Sequence, residues 1–517
     1  MQLITTVRDL THWRLHCHLP VHFVPTMGAL HPGHRRLIER ALRPAAGLAP
    51  QVVVSVFVNP LQFGPAEDFV RYPRDLQADA ALAEAAGTAV LFAPGVDEIY
   101  PAGEAEVFGL RVPAALQAGL CGRRRPGHFD GVATVVARLL ALIRPNRMLL
   151  GEKDWQQLVI LRQMVAALNL PLVVEGCATV RDPDGLAASS RNRFLNPAQR
   201  QQAVALPQAL AQARRQVEAG VPAADAAAQA QRALAAAGLA VDYVELVEAA
   251  TLCPHPAPQA LALLAAAVHC GGARLIDHTF LMRRSPIVAI DGPAGAGKST
   301  VTRAFAARLG LIYLDTGAMY RAVTWWVQRQ GVDPADGAAV APLLEGLDLR
   351  LSAGVGGEQQ VSVNGHDVTS AIRSPEVTAQ VSVVAAHGCV REALTRQQQA
   401  MGERGGLVAE GRDIGTAVFP DAQLKVFLTA TVGERARRRA LDLKQRGFAV
   451  PPLEDLEAQI AERDHLDSTR AVAPLQMAAD AVELVTDGLT IDAVIQALVD
   501  LLRSRVPEEA WPGPAAG

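Results

Sequence analysis

Ile287-Val288-Ala289-Ile290-Asp291-Gly292-Pro293-Ala294-Gly295-Ala296-Gly297-Lys298-Ser299-Thr300 decides how the second half of the chain folds. The apolar residues Ile287–Ile290 read as a buried strand, and Gly292-x-x-x-x-Gly297-Lys298-Ser299 leads out of it into a helix. That order makes a P-loop. Its glycines let backbone N–H groups turn toward phosphate oxygens at a helix N-terminus, where the peptide dipoles favour an anion. Gly292, Gly295, Gly297, Lys298, Ser299 and Thr300 are the expected ATP contacts, with Lys298 facing the β- and γ-phosphates and Ser299 reaching Mg²⁺.

Working outward, the first half has an opening of the same kind: Val21–Val24 runs into Pro25-Thr26-Met27-Gly28-Ala29-Leu30-His31-Pro32-Gly33-His34. The runs Val52–Val58, Met148–Leu150 and Leu424–Leu428 are short, apolar and separated by helical patterns, as in parallel sheets built from βαβ units. The fold class is therefore α/β twice over. Pro222–Ala240 is rich in Ala, Gln and Arg and reads as helix, while Val241–Val247 and Leu261–Val268 read as short strands of a small appended subdomain. Met282-Arg283-Arg284-Ser285-Pro286 precedes the second opening strand, which sets the expected domains at 1–283 and 284–517. Within the first, about 1–183 is expected to bind nucleotide and about 184–283 to form the subdomain; the tail, about 506–517, is expected to fray.

A chain of 517 residues exceeds what one core organises, and its 50% hydrophobic and 20% charged residues suit folded domains. The formal net charge of -3 gives no overall attraction to nucleic acid or to an anionic membrane surface. Cys17, Cys121, Cys177, Cys253, Cys270 and Cys389 are scattered without a CxxC pair, so neither a zinc site nor a disulfide framework is expected. Arg8, Asp9 and Arg14 interrupt any N-terminal leader pattern, and no uncharged apolar run approaches a membrane span. These features point to a soluble cytoplasmic protein.

The acceptor of the P-loop half is read from Leu314-Asp315-Thr316-Gly317-Ala318-Met319-Tyr320-Arg321, Glu410-Gly411-Arg412-Asp413-Ile414-Gly415-Thr416 and Glu462-Arg463-Asp464-His465-Leu466-Asp467-Ser468-Thr469-Arg470. Arginines spread over three segments suit a second phosphate-bearing substrate, because guanidinium forks bind phosphate oxygens bidentately. Over about residues 284–505 the chain resembles the cytidylate kinase family. The resemblance implies CMP or dCMP as acceptor, with Thr316, Arg321, Ser382, Arg391, Arg412 and Asp413 as contacts. It further implies that Arg463, Asp467 and Arg470 belong to a mobile lid and its ribose or phosphate contacts, with Glu434–Arg439 and Gly447–Pro452 near the closing elements. Leu466 and Ser468 stand where some members carry further arginines. No catalytic base is assigned, since phosphoryl transfer depends mainly on positioning and charge neutralisation.

In the first half, Met27-Gly28-Ala29-Leu30-His31-Pro32-Gly33-His34 is a variant of the His-x-Gly-His signature of adenylating enzymes. Two histidines at a helix start can both face a triphosphate. Leu150-Gly151-Glu152-Lys153-Asp154-Trp155-Gln156-Gln157 follows a short strand, and Leu186-Ala187-Ala188-Ser189-Ser190-Arg191-Asn192 supplies hydroxyls and an arginine for departing pyrophosphate. With Asn59-Pro60-Leu61-Gln62-Phe63-Gly64 and Arg125-Pro126-Gly127-His128-Phe129-Asp130-Gly131, these segments resemble the pantothenate synthetase (pantoate–β-alanine ligase) family over about residues 1–280, and imply a Rossmann-like nucleotidylyl-transferase-type domain.

That resemblance implies pantoyl adenylate formation from ATP and (R)-pantoate, then capture by β-alanine with release of AMP. It makes His34 the proton donor, with His31 and Lys153 assisting as Lys298 does in the kinase half. Met27–His34 (Met27, Gly28, Ala29, Leu30, His31, Pro32, Gly33, His34), Gly151, Glu152, Lys153, Asp154, Val180, Ala188, Ser189, Ser190 and Arg191 would line the ATP site. Gln62 and Gln157 would hold pantoate, Gln62 also approaching β-alanine. Ala188 stands where the family often has Met, so ATP is expected to bind more weakly; Asp182 and Asp184 are expected to be loop residues. Mg²⁺ would accompany ATP, no tightly bound organic cofactor is expected, and the resemblance favours a homodimer through the first half. Two other readings stay open: a nucleotidylyltransferase in the first half, or one half as a degenerate nucleotide sensor regulating the other.

Overall fold

Buried apolar strands alternating with helices close into two separate parallel sheets, as seen in a computed structural model that describes residues 1–517 except 45–47, 65–68, 70–71, 255–260, 354–358, 446–448, 470–471 and 512–517. The chain divides into two units: Met1–Arg283 together with Pro507–Glu509, and Arg284–Val506 with the remainder. No helix among the described residues is long and apolar enough to cross a membrane.

In the first unit the strands are β1 (Gln2–Ile4), β2 (Val21–Thr26), β3 (Gln51–Val56), β4 (Val90–Phe92), β5 (Arg147–Gly151) and β6 (Val173–Cys177), in the order β1-β4-β3-β2-β5-β6. All described pairings are parallel. β2 is central, and Val21, Phe23 and Val24 are wholly buried, which is why its sequence reads as continuous apolar rather than alternating. Its C-terminal end delivers the chain to the helix Pro32–Ala41, and β5 delivers it to the helix Trp155–Ala167. Strand order reverses around β2 and β5, the crevice where open α/β sheets bind ligands.

The rest of the first unit packs the helices Ala205–Glu218 and Ala223–Ala236 against an antiparallel sheet, β7 (Ala240–Glu248), β8 (Ala262–Cys270) and β9 (Ala273–Leu281). The apolar pattern marks β7 and β8 but not β9, in which Arg274, Asp277 and His278 break the hydrophobic run. Gly271, at φ +56, turns β8 into β9.

In the second unit β10 (Ile287–Asp291) lies at the centre of a five-stranded parallel sheet completed by β11 (Ile312–Asp315), β15 (Leu407–Gly411), β16 (Leu424–Thr429) and β17 (Val482–Val485), in the order β11-β15-β10-β16-β17. A small antiparallel sheet of β12 (Leu349–Ala353), β13 (Gln359–Val363) and β14 (His366–Asp367) is added, and sequence patterning does not reveal it. Its second hairpin turns on Asn364-Gly365, both at positive φ, the residue pair that a two-residue turn with left-handed backbone prefers. In the tail, Glu508–Ala510 forms a short 3₁₀ turn, and 512–517 lies outside the described residues.

Candidate functional sites

In the first unit the loop after β2 is built around one buried carboxylate. Gly28 and Ala29 have φ +87 and +52, and their turn is fixed by Asp79, whose Oδ2 accepts from Ala29 N at 3.0 Å and whose Oδ1 accepts from Leu30 N at 2.6 Å. A Cβ on Gly28 would stand 2.9 Å from Asp79 Oδ2, so glycine is needed there for space as well as for φ. The turn ends in a reciprocal cap. Gly33 N donates to His31 Nδ1 at 3.1 Å, and His31 N donates to His34 Nδ1 at 3.2 Å.

Both imidazoles thus use Nδ1 as acceptor, which leaves each neutral ring its proton on Nε2. Burial, with Lys153 beside it, pushes His31 down to about 4; burial, with His31 beside it, pushes His34 down to about 3. The rings lie 4.1 Å apart between centroids and face one cavity as uncharged N–H donors.

That cavity has a volume of about 240 Å³ and is lined by Met27, His31, Gly33, His34, Gln62, Gly151, Lys153, Asp154, Gln157, Val180, Ala188, Ser189, Ser190 and Arg191. Gly28, Ala29, Leu30, Pro32 and Glu152 of the expected set do not line it. Gly28 and Ala29 are turned into the protein against Asp79, and Glu152 is 1% exposed and packs on Gly176. Asp154 is held below the usual carboxylate range: burial opposes this, but Lys153, Arg191 and His128 outweigh it.

Gln62 reaches the cavity because two motifs converge on its turn. Asn59 is fully buried, donates through Nδ2 to Gly131 O at 3.1 Å and accepts from Tyr100 Oη at 2.8 Å. A Cβ on Gly131 would lie 2.2 Å from Leu61 O, so only glycine lets the helix His128–Ile143 approach that closely. His128 Nδ1 donates to Gln62 O at 2.8 Å, and Arg125 donates to His128 Nε2 at 3.0 Å. Gln157 faces the cavity whereas Gln156 is spent on Leu116 O, Gly119 O and Gly122 N. Asp182 and Asp184 both pair with Arg200, at 2.7 and 2.8 Å, which is the behaviour of loop residues.

In the second unit the chain leaves β10 at Gly292, with φ +147; a Cβ there would be 2.0 Å from Leu428 O. Gly295 and Gly297 also have positive φ, and the helix Lys298–Leu309 starts with no side-chain cap. Lys298 Nζ donates to Gly292 O at 2.7 Å and Pro293 O at 2.8 Å, arching over its own loop. Burial, with Arg412 nearby, lowers its pKa. Ser299 Oγ donates to Glu410 Oε1 at 2.5 Å, and Thr316 donates to Glu410 O at 2.7 Å, so the end of β15 serves both loops.

The second cavity, of about 1140 Å³, is lined by Gly295, Gly297, Lys298, Ser299, Thr300, Thr316, Arg321, Ser382, Arg391, Arg412, Asp413, Arg463 and Asp467 of the expected residues; Gly292 is set back from it. Arg470 lies outside the described residues, as do Gly447 and Phe448 of the expected closing stretch. Three of these arginines form ion pairs: Arg391 with Asp413, Arg412 with Asp467 at 2.9 Å and Arg321 with Asp315 at 3.2 Å. Arg391 also lies 5.5 Å over the Tyr320 ring. Arg435 bridges the helices Val432–Gln445 and Leu453–Thr469 through Asp464 and donates to Ala294 O of the P-loop at 3.1 Å. Glu410, Asp79 and Arg435 shape these sites without being readable as such, because their partners are 111, 50 and 141 residues away.

Comparison with known proteins then matches the two units separately and the chain as a whole. The family model described as Pantoate-beta-alanine ligase matches residues 2–280, and the one described as Cytidylate kinase matches residues 288–504. A "Bifunctional pantoate ligase/cytidylate kinase" of Prochlorococcus marinus (strain MIT 9313) is 66% identical over 505 residues, spanning 97% of this chain and 99% of that protein. One of the same description from Parasynechococcus marenigrum (strain WH8102) is 65% identical over 513 residues, spanning 99% and 100%. Among solved structures, the crystal structure of a pantothenate synthetase from Thermus thermophilus is 47% identical, covering 54% of this chain and 98% of that one, with a TM-score of 0.49.

Proposed function

The chain belongs to the bifunctional pantoate ligase/cytidylate kinase family, and from that premise we propose which residues carry each of its two reactions. It is an ATP-using enzyme twice over, a pantoate–β-alanine ligase in its first half and a CMP or dCMP kinase in its second. We assign the first to residues 1–283 and the second to 284–517. The observation that supports this division most directly is that each unit has its own cavity around its own phosphate-facing helix start.

In the ligase half, we assign the ATP phosphates to His31, His34 and Lys153 and the leaving pyrophosphate to Ser189, Ser190 and Arg191. The Nε2–H groups of His31 and His34 stabilise charge as the pantoate carboxylate attacks the α-phosphate, and being neutral they donate without trapping the product as an ion pair. Gln62 and Gln157 orient pantoate through neutral amides. The β-alanine amine then attacks the acyl carbon, forming the amide and expelling AMP.

In the kinase half, Lys298 swings from its own loop carbonyls to the β- and γ-phosphates, and the backbone N–H groups of Gly295–Thr300 cradle them. We assign CMP to Thr316, Arg321, Ser382, Arg391, Arg412, Asp413, Arg463 and Asp467, whose present ion pairs exchange for substrate phosphate and base. The adjacent oxygens of Ser299 and Glu410 are hard donors that fit Mg²⁺ arriving with ATP. In both halves bound Mg²⁺ supplies charge neutralisation across the phosphates. The cytoplasm, and a homodimer through the ligase half, complete the proposal on family resemblance alone.

The test follows label through both reactions. Pantoate alone, without β-alanine, must support exchange of labelled pyrophosphate into ATP, and CMP must take up the γ-phosphate. Pantothenate formation without such exchange would overturn the adenylate route, and absence of γ-transfer would overturn the kinase assignment.

A further inference from the structure

Asp291 ends β10 and is the residue immediately before the P-loop, yet its carboxylate serves a different loop. Its Oδ1 accepts from Ile414 N at 2.8 Å and its Oδ2 from Gly415 N at 2.7 Å. Ile414 and Gly415 directly follow Arg412 and Asp413, the acceptor-side pair assigned above. One carboxylate, 5% exposed, therefore fixes the loop that binds the acceptor to the strand that carries the donor loop. In-line transfer requires the attacking and leaving oxygens to be held in register, and small misplacements there are costly.

The fit is tight from the loop side as well. A Cβ on Gly415 would lie 3.1 Å from Lys425 Cδ and 3.3 Å from Asp291 Oδ2. Two converging backbone donors demand two acceptor oxygens, which a carboxylate has and an amide lacks. We propose that Asp291 is a positioning residue of the kinase reaction, setting the acceptor loop against the P-loop; this rests on the kinase reading above.

The charge environment supplies an independent readout. Burial, with Asp413 nearby, pushes Asp291 up to about 6, opposed by the two N–H donors and by Lys298. Lys425, the other charged neighbour of Gly415, is spent on Pro420 O and Asp480. As pH falls through about 6 the carboxyl gains a proton, one acceptor is lost, and the acceptor loop loosens.

The experiment is steady-state CDP formation by the full chain across pH 5–8, for the native protein, Asp291→Asn and Gly415→Ala, with folding checked by circular dichroism. Asp291→Asn should raise KM for CMP roughly tenfold while KM for ATP stays within about twofold, the size of effect that follows from misplacing one substrate loop. Gly415→Ala should raise KM for CMP severalfold. The CMP phosphate itself titrates near pH 6, so the pH readout is the difference between profiles: the native KM for CMP should climb below about pH 6 more steeply than that of Asp291→Asn. If Asp291→Asn does not fold, Gly415→Ala decides by the same split between KM values. Equal rises in both KM values, or pH profiles that do not differ between the native chain and Asp291→Asn, would overturn the inference. A native chain that makes no CDP would overturn the kinase reading and this inference with it, whereas an active native chain beside unaltered variants would overturn this inference alone.

Discussion

The helix Pro32–Ala41 begins with two imidazoles closing a reciprocal cap, whereas the helix Lys298–Leu309 begins behind Gly297 with no side-chain cap at all. Both follow a central parallel strand and both face the phosphates of ATP in the proposed reactions. In the ligase half the proposed reactive surface is the capping side chains themselves, since Nδ1 of each ring is consumed in the cap and Nε2–H is displayed. In the kinase half the proposed binding surface is the N–H groups themselves, with which a side-chain cap would compete, and Lys298 donates to carbonyls of its own loop. The difference suits the proposed chemistry, in which attack at the α-phosphate would be served by two directed donors and γ-phosphoryl transfer by a cradle.

The contrast breaks if either half responds to damage in the other. His34→Ala should lower pantothenate formation by about 10³-fold, the loss expected when a directed donor to developing charge is removed, with CDP formation unchanged. Lys298→Ala should lower CDP formation by about 10²-fold or more and leave the ligase rate intact. Steady-state rates of both products from each variant decide this, and parallel losses would contradict separate sites.

His31 separates capping from chemistry. Asn keeps a capping acceptor, so His31→Asn should keep thermal stability close to native, while His31→Ala should cost about 1 kcal/mol in denaturant unfolding. Both should lower ligase turnover by roughly tenfold, because neither supplies the Nε2–H. Equal stability of the two variants would remove the cap from the account.

The two histidines also make a pH prediction. Their folded pKa values lie below the ordinary 6.5, so the unfolded chain binds protons that the folded unit does not. Their contribution is fully present above about pH 6.5 and is lost as pH falls toward about 4 for His31 and about 3 for His34, which denaturant titrations at several pH values will register. Acidification through 6.5 should not raise the ligase rate, as it would if imidazolium were the donor. The smallest expected effect is at Ala188, where Met would add apolar contact and lower KM for ATP by a few-fold, consistent with burying one or two extra methylenes.

Strands β2, β5, β8, β10 and β16 and both phosphate loops were legible because local sequence specifies them: apolar runs for buried strands, glycines where φ is positive, and histidines or lysine at a helix start. β9 was not, since Arg274 and Asp277 spend their charge on Asp242 and Arg181, partners that lie far along the chain. Glu152, inside a site motif, is the opposite case: its buried carboxylate lies outside the cavity lining and accepts from Glu508 N and Glu509 N. Asp79 and Asp291 went unread for the same reason as β9. A buried carboxylate looks like any other aspartate until the fold brings it two backbone donors.

The most direct test of two independent sites on one chain is a product assay on the purified protein with ATP and Mg²⁺, adding pantoate and β-alanine, CMP, or all three. Pantothenate with AMP, CDP with ADP, and unchanged rates for both when all acceptors are present are the predicted results. A silent reaction, or saturating CMP that suppresses pantothenate formation while ATP remains saturating, would contradict the account.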